Sequence, residues 1–163
     1  MFRPLVYSAF VVSIDQLAKH LVRSRMSVHE SIPVLGNFFH LTYVENSGAA
    51  FGINFQGGPV VFTVAALMAT VLVIWYLWKL REKGFALKLS LALILGGAVG
   101  NLADRLLFGK VVDFFDFGIG GYHWPVFNVA DSAVTVGMFI FLFRSLSGAT
   151  GPQKGTAALN ADS

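Results

Sequence analysis

Four long apolar windows govern what this chain can become. They run Leu5–Val22, Pro59–Trp78, Leu89–Leu107 and Val129–Leu146, each close to the ~20 residues that an α-helix needs to cross the hydrocarbon core of a bilayer. Inside that core an unpaired backbone group finds no water, so such a segment crosses as a helix. The composition agrees, because only 13% of the residues are charged, about half the share of a soluble domain. Four spans leave little of the 163 residues for anything else. The expected organisation is therefore one all-α membrane domain over residues 1–146 and a tail, 147–163, rich in Gly, Ala, Ser and Thr. That tail has almost nothing large to bury and is expected to be disordered.

The basic residues sort by side. Arg3, Lys79, Arg81, Lys83, Lys88, Arg144 and Lys154 make seven on one side of the frame, against five on the other: Lys19, Arg23, Arg25, Arg105 and Lys110. Lys19 and Arg105 look like site residues, which sharpens the contrast. The positive-inside rule then puts both termini and the Lys79–Lys88 loop in the cytoplasm, with the Arg23–Gly58 and Phe108–Phe127 connections outside. Trp75, Tyr76 and Trp78 suit an interfacial belt at the cytoplasmic end of the second span. The net charge of +3 thus reads as membrane topology, and no nucleic-acid partner is expected. The first apolar run is interrupted by Asp15-Gln16 and Lys19-His20 and lacks a small-residue cleavage motif, so it reads as a retained span.

Ionisable groups beside such spans require a reason, since an Asp at mid-membrane costs about 2.5–3.5 kcal/mol on insertion scales. The stretch Val111–Ser132 concentrates them, with Asp113 and Asp116 after the third apolar run and Asn128 and Asp131 opening the fourth. Asp15 and Lys19 stand four apart on one helix face. A snorkelling lysine paired with an aspartate explains that spacing equally well. Asn101, Asp104 and Arg105 follow at i, i+3 and i+4, again on one face, as an interfacial ion pair or as part of a site. Gly96 and Gly100 form a small-xxx-small pattern suited to helix contact. The segment Asn37–Glu45 reads as a strand resting on the membrane surface. Asn46-Ser47-Gly48 after it allows close backbone approach, and mobility of the loop from Asn46 to Gly58 would gate access.

Several chemistries lack their residues. There is no cysteine, no G-x-S-x-G elbow and no H-E-x-x-H, and His20, His29, His40 and His123 have no metal-ligand spacing. No carboxylate set matches a metal site either, so neither metal nor cofactor is expected. Two carboxylates brought together at low dielectric share one proton. The ionised member can then deprotonate water while the other polarises a carbonyl. Spacing alone leaves open which two aspartates would do this. An ion relay through Asp131, Asp15 and Lys19 is the rival reading, disfavoured by the lack of an internal repeat. A non-catalytic scaffold is the other.

Five blocks carry a resemblance: DQLAK at Asp15–Lys19, NSGAAFG at Asn46–Gly52, GGAVGNLADR at Gly96–Arg105, VVDF at Val111–Phe114 and FNVADS at Phe127–Ser132. In this order, on a four-span frame, the chain resembles the prolipoprotein signal peptidases, or signal peptidases II. The resemblance implies a four-transmembrane-helix bundle with a small periplasmic β-structure that cradles substrate. It implies a multi-pass aspartyl endopeptidase of the bacterial inner membrane, working as a monomer with its site near the outer face. The substrates would be diacylglyceryl prolipoproteins held in membrane lipid and cut just before the lipidated cysteine. Carried onto matching positions, it makes Asp113 and Asp131 the catalytic pair. Asp15, Lys19, Asn46, Gly48, Asn101, Arg105 and Asn128 become substrate-binding or supporting residues. Asp116 matches no catalytic position and is left a structural role.

Overall fold

The computed structural model describes residues 2–48, 57–79 and 84–149. The second half of the NSGAAFG block with most of the gating loop, residues 80–83 of the charged hairpin, and the tail from 150 onward lie outside the described residues. The four apolar windows are four helices, α1 (Phe2–Arg25), α2 (Gly58–Lys79), α3 (Phe85–Phe108) and α4 (Val129–Ala149), all long and apolar enough to cross a membrane. Between them lie strands β1 (Ser31–Leu35), β2 (Phe39–Asn46), β3 (Val111–Ile119) and β4 (Tyr122–His123), paired antiparallel in that spatial order.

Helix α3 is the hub, and its sequence says why. Its most apolar window is 44% buried where that of α2 is 6%, because small residues line α3 and let backbones close in. A Cβ added at Gly96 would lie 2.7 Å from Val11 Cβ of α1, and one at Gly97 only 2.2 Å from the Ala130 carbonyl oxygen of α4. At Gly100 it would come 2.7 Å from a carboxylate oxygen of Asp15. Helix α2 instead turns large side chains such as Val60, Met68 and Leu72 outward, as a lipid-facing helix does.

The sheet sits at one end of the bundle, joined to α1 by a small core of Val22, Tyr43, Val112 and Phe114. Strand β2 begins two residues later than the segment read from sequence. Two strands carried no pattern to read. Every residue of β1 is exposed, so it lacks the alternation of a half-buried strand, and Pro33 fits only because β1 is an edge. The glycine turn after β3 is a tight hairpin, with Gly120 and Gly121 at φ +60° and +87° between the paired Ile119 and Tyr122. Two consecutive positive φ angles are what a two-residue hairpin needs.

Candidate active site

Strand β3 and the start of α4 are tied together by main chain. The amides of Phe114 and Phe115 donate to the Phe127 carbonyl at 3.0 and 2.7 Å, and the Phe127 amide donates back to Phe115 at 3.1 Å. This bridge sets Asn128 beside Asp113. Asn128 is fully buried, and its side-chain amide donates to Asp113 Oδ1 at 2.7 Å, with the Asn101 side-chain oxygen and the Val112 carbonyl also within 3.2 Å.

Asn128 also starts α4. Its side-chain oxygen accepts from the Asp131 amide at 2.9 Å, while Asp131 Oδ2 accepts from the Asn128 amide at 3.2 Å. That is a reciprocal capping box in which the residue at the third helical position is an aspartate. The other oxygen of Asp131 accepts from Asn101 Nδ2 at 2.7 Å. One asparagine therefore holds both Asp113 and Asp131, and a second holds Asp131 from α3.

From the other side, Asn46 Nδ2 of β2 donates to Asp113 Oδ2 at 3.2 Å. Asn46 lies diagonal to Asp113 in the ladder, whose direct partner is Val44, so the two share a face. The Gly48 amide donates to Asn46 Oδ1 at 2.9 Å and fixes the asparagine's orientation. Gly48 has φ +106°, and a Cβ there would meet Phe62 at 2.8 Å. What Gly48 approaches closely in this structure is thus the start of α2.

Beneath the pair lies a buried ionic network. Lys19 and Asp15 are both wholly buried and 2.8 Å apart, so the lysine does not snorkel. Lys19 also lies 3.1 Å from Asp104 and donates to Asn101 Oδ1 at 2.8 Å. Asp104 pairs in addition with Arg23 at 2.9 Å and accepts from the Val112 amide at 3.3 Å, one residue before Asp113. Asp15 accepts from the Ala130 amide of α4 at 2.8 Å, and Gln16 donates to the Gly100 carbonyl at 3.1 Å. Two anions and two cations balance, which is the condition under which buried charges persist.

The α3 face read from sequence divides. Asp104 turns into α1, where it pairs with Lys19 and Arg23, and Arg105 does not pair with it. Arg105 donates to the Asn101 carbonyl at 3.4 Å, and its charge acts on Asp131, Asp113 and Asp104. Consecutive helical residues stand about 100° apart, so neighbours 104 and 105 serve different partners. Gln16 and Arg23 are the residues that sequence reasoning passed over, while Asp104 was placed on the polar face of α3 without its partners on α1. Asp104 looked like the partner of its neighbour, and Arg23 was counted as a topology charge. The only available signal was that Asp15 and Lys19 already implied a polar seam on α1.

Asp113 is 4% exposed. Burial and then the charge of Asp131 push its pKa up to about 7, against the hydrogen bonds from Asn46 and Asn128 that favour the ionised form. Asp116 behaves oppositely. Burial would raise it, but hydrogen bonds from His123 at 2.7 Å and Thr42 at 2.7 Å outweigh that and hold it below the ordinary carboxylate range. Asp116 stitches β2, β3 and β4 together and stands apart from the pair. Of the positions read from sequence, Asp113, Asp131, Asn128, Asn101, Asn46, Lys19 and Asp15 are joined by one run of hydrogen bonds and ion pairs. Gly48 orients Asn46, and Arg105 adds charge from beside them. No metal-binding cluster of His, Asp or Glu occurs among the described residues.

Fold and site together define a multi-pass membrane protein with a carboxylate pair built where a surface sheet meets the ends of its helices. Residues 7–147 match the family model described as signal peptidase (SPase) II. The chain is 42% identical to the lipoprotein signal peptidase of Desulforapulum autotrophicum, over 88% of this chain and 91% of the relative. With that of Moorella thermoacetica it shares 46% identity, over 87% of this chain and 91% of the relative. A bacterial membrane enzyme solved by the in meso method at 2.3 Å superposes with a TM-score of 0.82 at 28% identity, covering 96% of this chain and 95% of that one. The chain belongs to the signal peptidase II family, whose members are peptidases.

Proposed function

We propose that this protein is an aspartyl endopeptidase that removes signal peptides from diacylglyceryl-modified prolipoproteins, cutting on the N-terminal side of the lipidated cysteine. The observation that carries the reading is the Asn128 bridge, which donates to Asp113 and caps the helix turn bearing Asp131. The pair shares one proton, and Asp113 is the member that holds it below about pH 7, because burial and its neighbour's charge lift its pKa to about 7. Asp131 takes a proton from a water molecule, and the hydroxide oxygen bonds to the scissile carbonyl carbon. Asp113 gives its proton to the carbonyl oxygen as the tetrahedral diol forms. On collapse the C–N bond breaks, the proton gained by Asp131 passes to the departing amine, and one hydroxyl proton of the diol returns to Asp113. Asn46 and Asn101 hold the carboxylates in place, and Lys19, Asp15 and Asp104 hold Asn101 and β3.

The setting suits the substrate. A lipidated precursor keeps its acyl chains and signal helix in the bilayer, so its scissile bond lies near an interface. The carboxylates stand at that depth, between helix ends and a sheet. The names of the relatives point to the same substrates. The test is cleavage of a diacylglyceryl prolipoprotein by purified protein. Asp113→Asn and Asp131→Asn are each expected to reduce the rate by at least ~10³-fold while the protein stays folded, and a chelator is expected to leave the wild-type rate unchanged. Wild-type rates in both variants would remove the pair from the mechanism. Ion-dependent flux in liposomes without cleavage would favour the relay.

A further inference from the structure

One row of polar side chains crosses all four strands of the sheet. Asp116 stands three residues from Asp113 and so points from the other face of β3. Ser31 Oγ of β1 and Thr42 Oγ1 of β2 are 2.8 Å apart. Thr42 gives its proton to Asp116 Oδ2 of β3 at 2.7 Å, so Ser31 is the donor in the first bond. Asp116 Oδ1 accepts from His123 Nδ1 of β4 at 2.7 Å. His40 is the ladder partner of Asp116, yet its Nδ1 is buried and without a hydrogen-bond partner. Asp116 thus spends its second oxygen on the imidazole of the return strand. Gly118 makes that bond possible. It is the ladder partner of His123, and a Cβ there would meet the ring at 2.9 Å, so the ring lies back over β3. Beyond this bond the pairing loosens. From the Gly118–His123 pair to the Phe115–Phe127 bridge, β3 advances three residues and the return strand four. Trp124 still donates to the Phe117 carbonyl at 2.8 Å, but Pro125 after it has no amide to give. A side-chain bond ahead of such a bulge pins a register that the main chain holds weakly.

We propose that Asp116 and His123 are positioning residues for cleavage: their bond fixes the return strand on β3 and, through the Phe127 bridge, sets Asn128 against Asp113. Resting on the peptidase reading above, this role gives Asp116 a part in the reaction without contact with substrate. Asn128 donates to Asp113 at 2.7 Å. A slip of about 1 Å breaks such a bond but changes the repulsion between Asp113 and Asp131 far less, because Coulomb energy falls only as the inverse of distance. Loss of the pin therefore removes a donor to ionised Asp113 while the charge of Asp131 still acts on it. The alkaline limb of cleavage then moves to higher pH.

The test is prolipoprotein cleavage by purified full-length protein, with kcat, KM and the pH profile measured for each variant. His123 is the residue to change, because its side chain is 51% exposed and its loss opens no core. His123→Ala is expected to lower kcat about tenfold or more, with KM near the wild-type value, and to move the alkaline limb up by about half a pH unit. His123→Asn places an amide N–H where Nδ1 stands and should restore most of both. Gly118→Ala displaces the ring while leaving His123 in the chain. It should move the limb in the same direction, and it serves if His123→Ala does not fold. Tyr122→Ala, at the exposed neighbour on β4, should match wild type. A limb that stays in place in the folded variants, no recovery in His123→Asn, or an equal shift in Tyr122→Ala overturns the positioning role alone, provided that wild type cleaves and Asp113→Asn does not. Absence of wild-type cleavage overturns both this role and the peptidase reading.

Discussion

Asp113 gathers the competing forces of the proposed chemistry onto one carboxyl group. Burial and Asp131 raise its pKa to about 7, while Asn46 and Asn128 donate to its charged form and oppose that rise. The sign of the pH dependence follows. As pH climbs through about 7, Asp113 ionises, the pair loses its shared proton, and cleavage falls toward tenfold per unit. Asn46→Ala removes a donor that favours the ionised form, so Asp113 keeps its proton to higher pH and the alkaline limb moves up. A profile of kcat/KM from pH 5 to 9 for both proteins checks this, and a limb moved to lower pH would contradict it. Lys19 offers a second test at this scale. It is wholly buried between Asp15 and Asp104, and taking away one partner of a buried ionic set costs about 3–5 kcal/mol. Lys19→Met is therefore expected to destabilise the protein by that order, visible as a lower midpoint of thermal unfolding in detergent. A midpoint unchanged from wild type would mean that the network does not hold the helices together.

At the scale of elements, the site depends on how closely α4 approaches α3. Gly97 faces the Ala130 carbonyl at a distance that leaves no room for a side chain, and Ala130 lies inside the capping turn between Asn128 and Asp131. Gly96 makes the matching approach to α1 at Val11 and Ser8, away from the pair. Either glycine changed to alanine overpacks a helix contact, at about 1–3 kcal/mol. The consequences should differ. Gly97→Ala displaces the turn carrying Asp131 and is expected to lower kcat more than tenfold, whereas Gly96→Ala lowers the unfolding temperature with a smaller effect on kcat. Equal kcat losses would show that the turn tolerates movement of α4. The helices themselves were legible, since hydropathy over ~20 residues is a strong signal. The Gly96/Gly100 spacing also named a contact face. The role of Gly97 was not legible, because the partner of a small residue depends on which helix packs there. The Asn128 capping box was in plain view as a polar pair three apart before an apolar run, and read only as the polar opening of the fourth span it lost half its meaning. Strand β1, exposed on both faces, left no periodic trace.

Across the whole molecule, the structure alters how the basic residues should be counted. Of the five assigned to the outer side, Lys19 and Arg23 are held by buried carboxylates and Lys110 is paired with Glu45. These three cations therefore serve the packing of the fold as well as the topology read from sequence. Asp113 and Asp131 were chosen over Asp116 by resemblance to a family, because spacing offered no means to distinguish them. Geometry supplies a physical difference: Asp116 is committed to Thr42 and His123 within the sheet. Orientation can be tested directly because the chain contains no cysteine. Tyr122 is 86% exposed at the tip of the β3–β4 hairpin, and a Cβ at Gly84, before α3, meets no atom within 4 Å. With both termini cytoplasmic, Tyr122→Cys should react with a membrane-impermeant maleimide in spheroplasts, and Gly84→Cys only after the inner membrane is opened. The reverse pattern would invert the frame and put the carboxylate pair on the cytoplasmic side. A prolipoprotein whose cysteine is displayed at the outer interface could not then reach it, so the same experiment tests the proposed substrate as well as the topology.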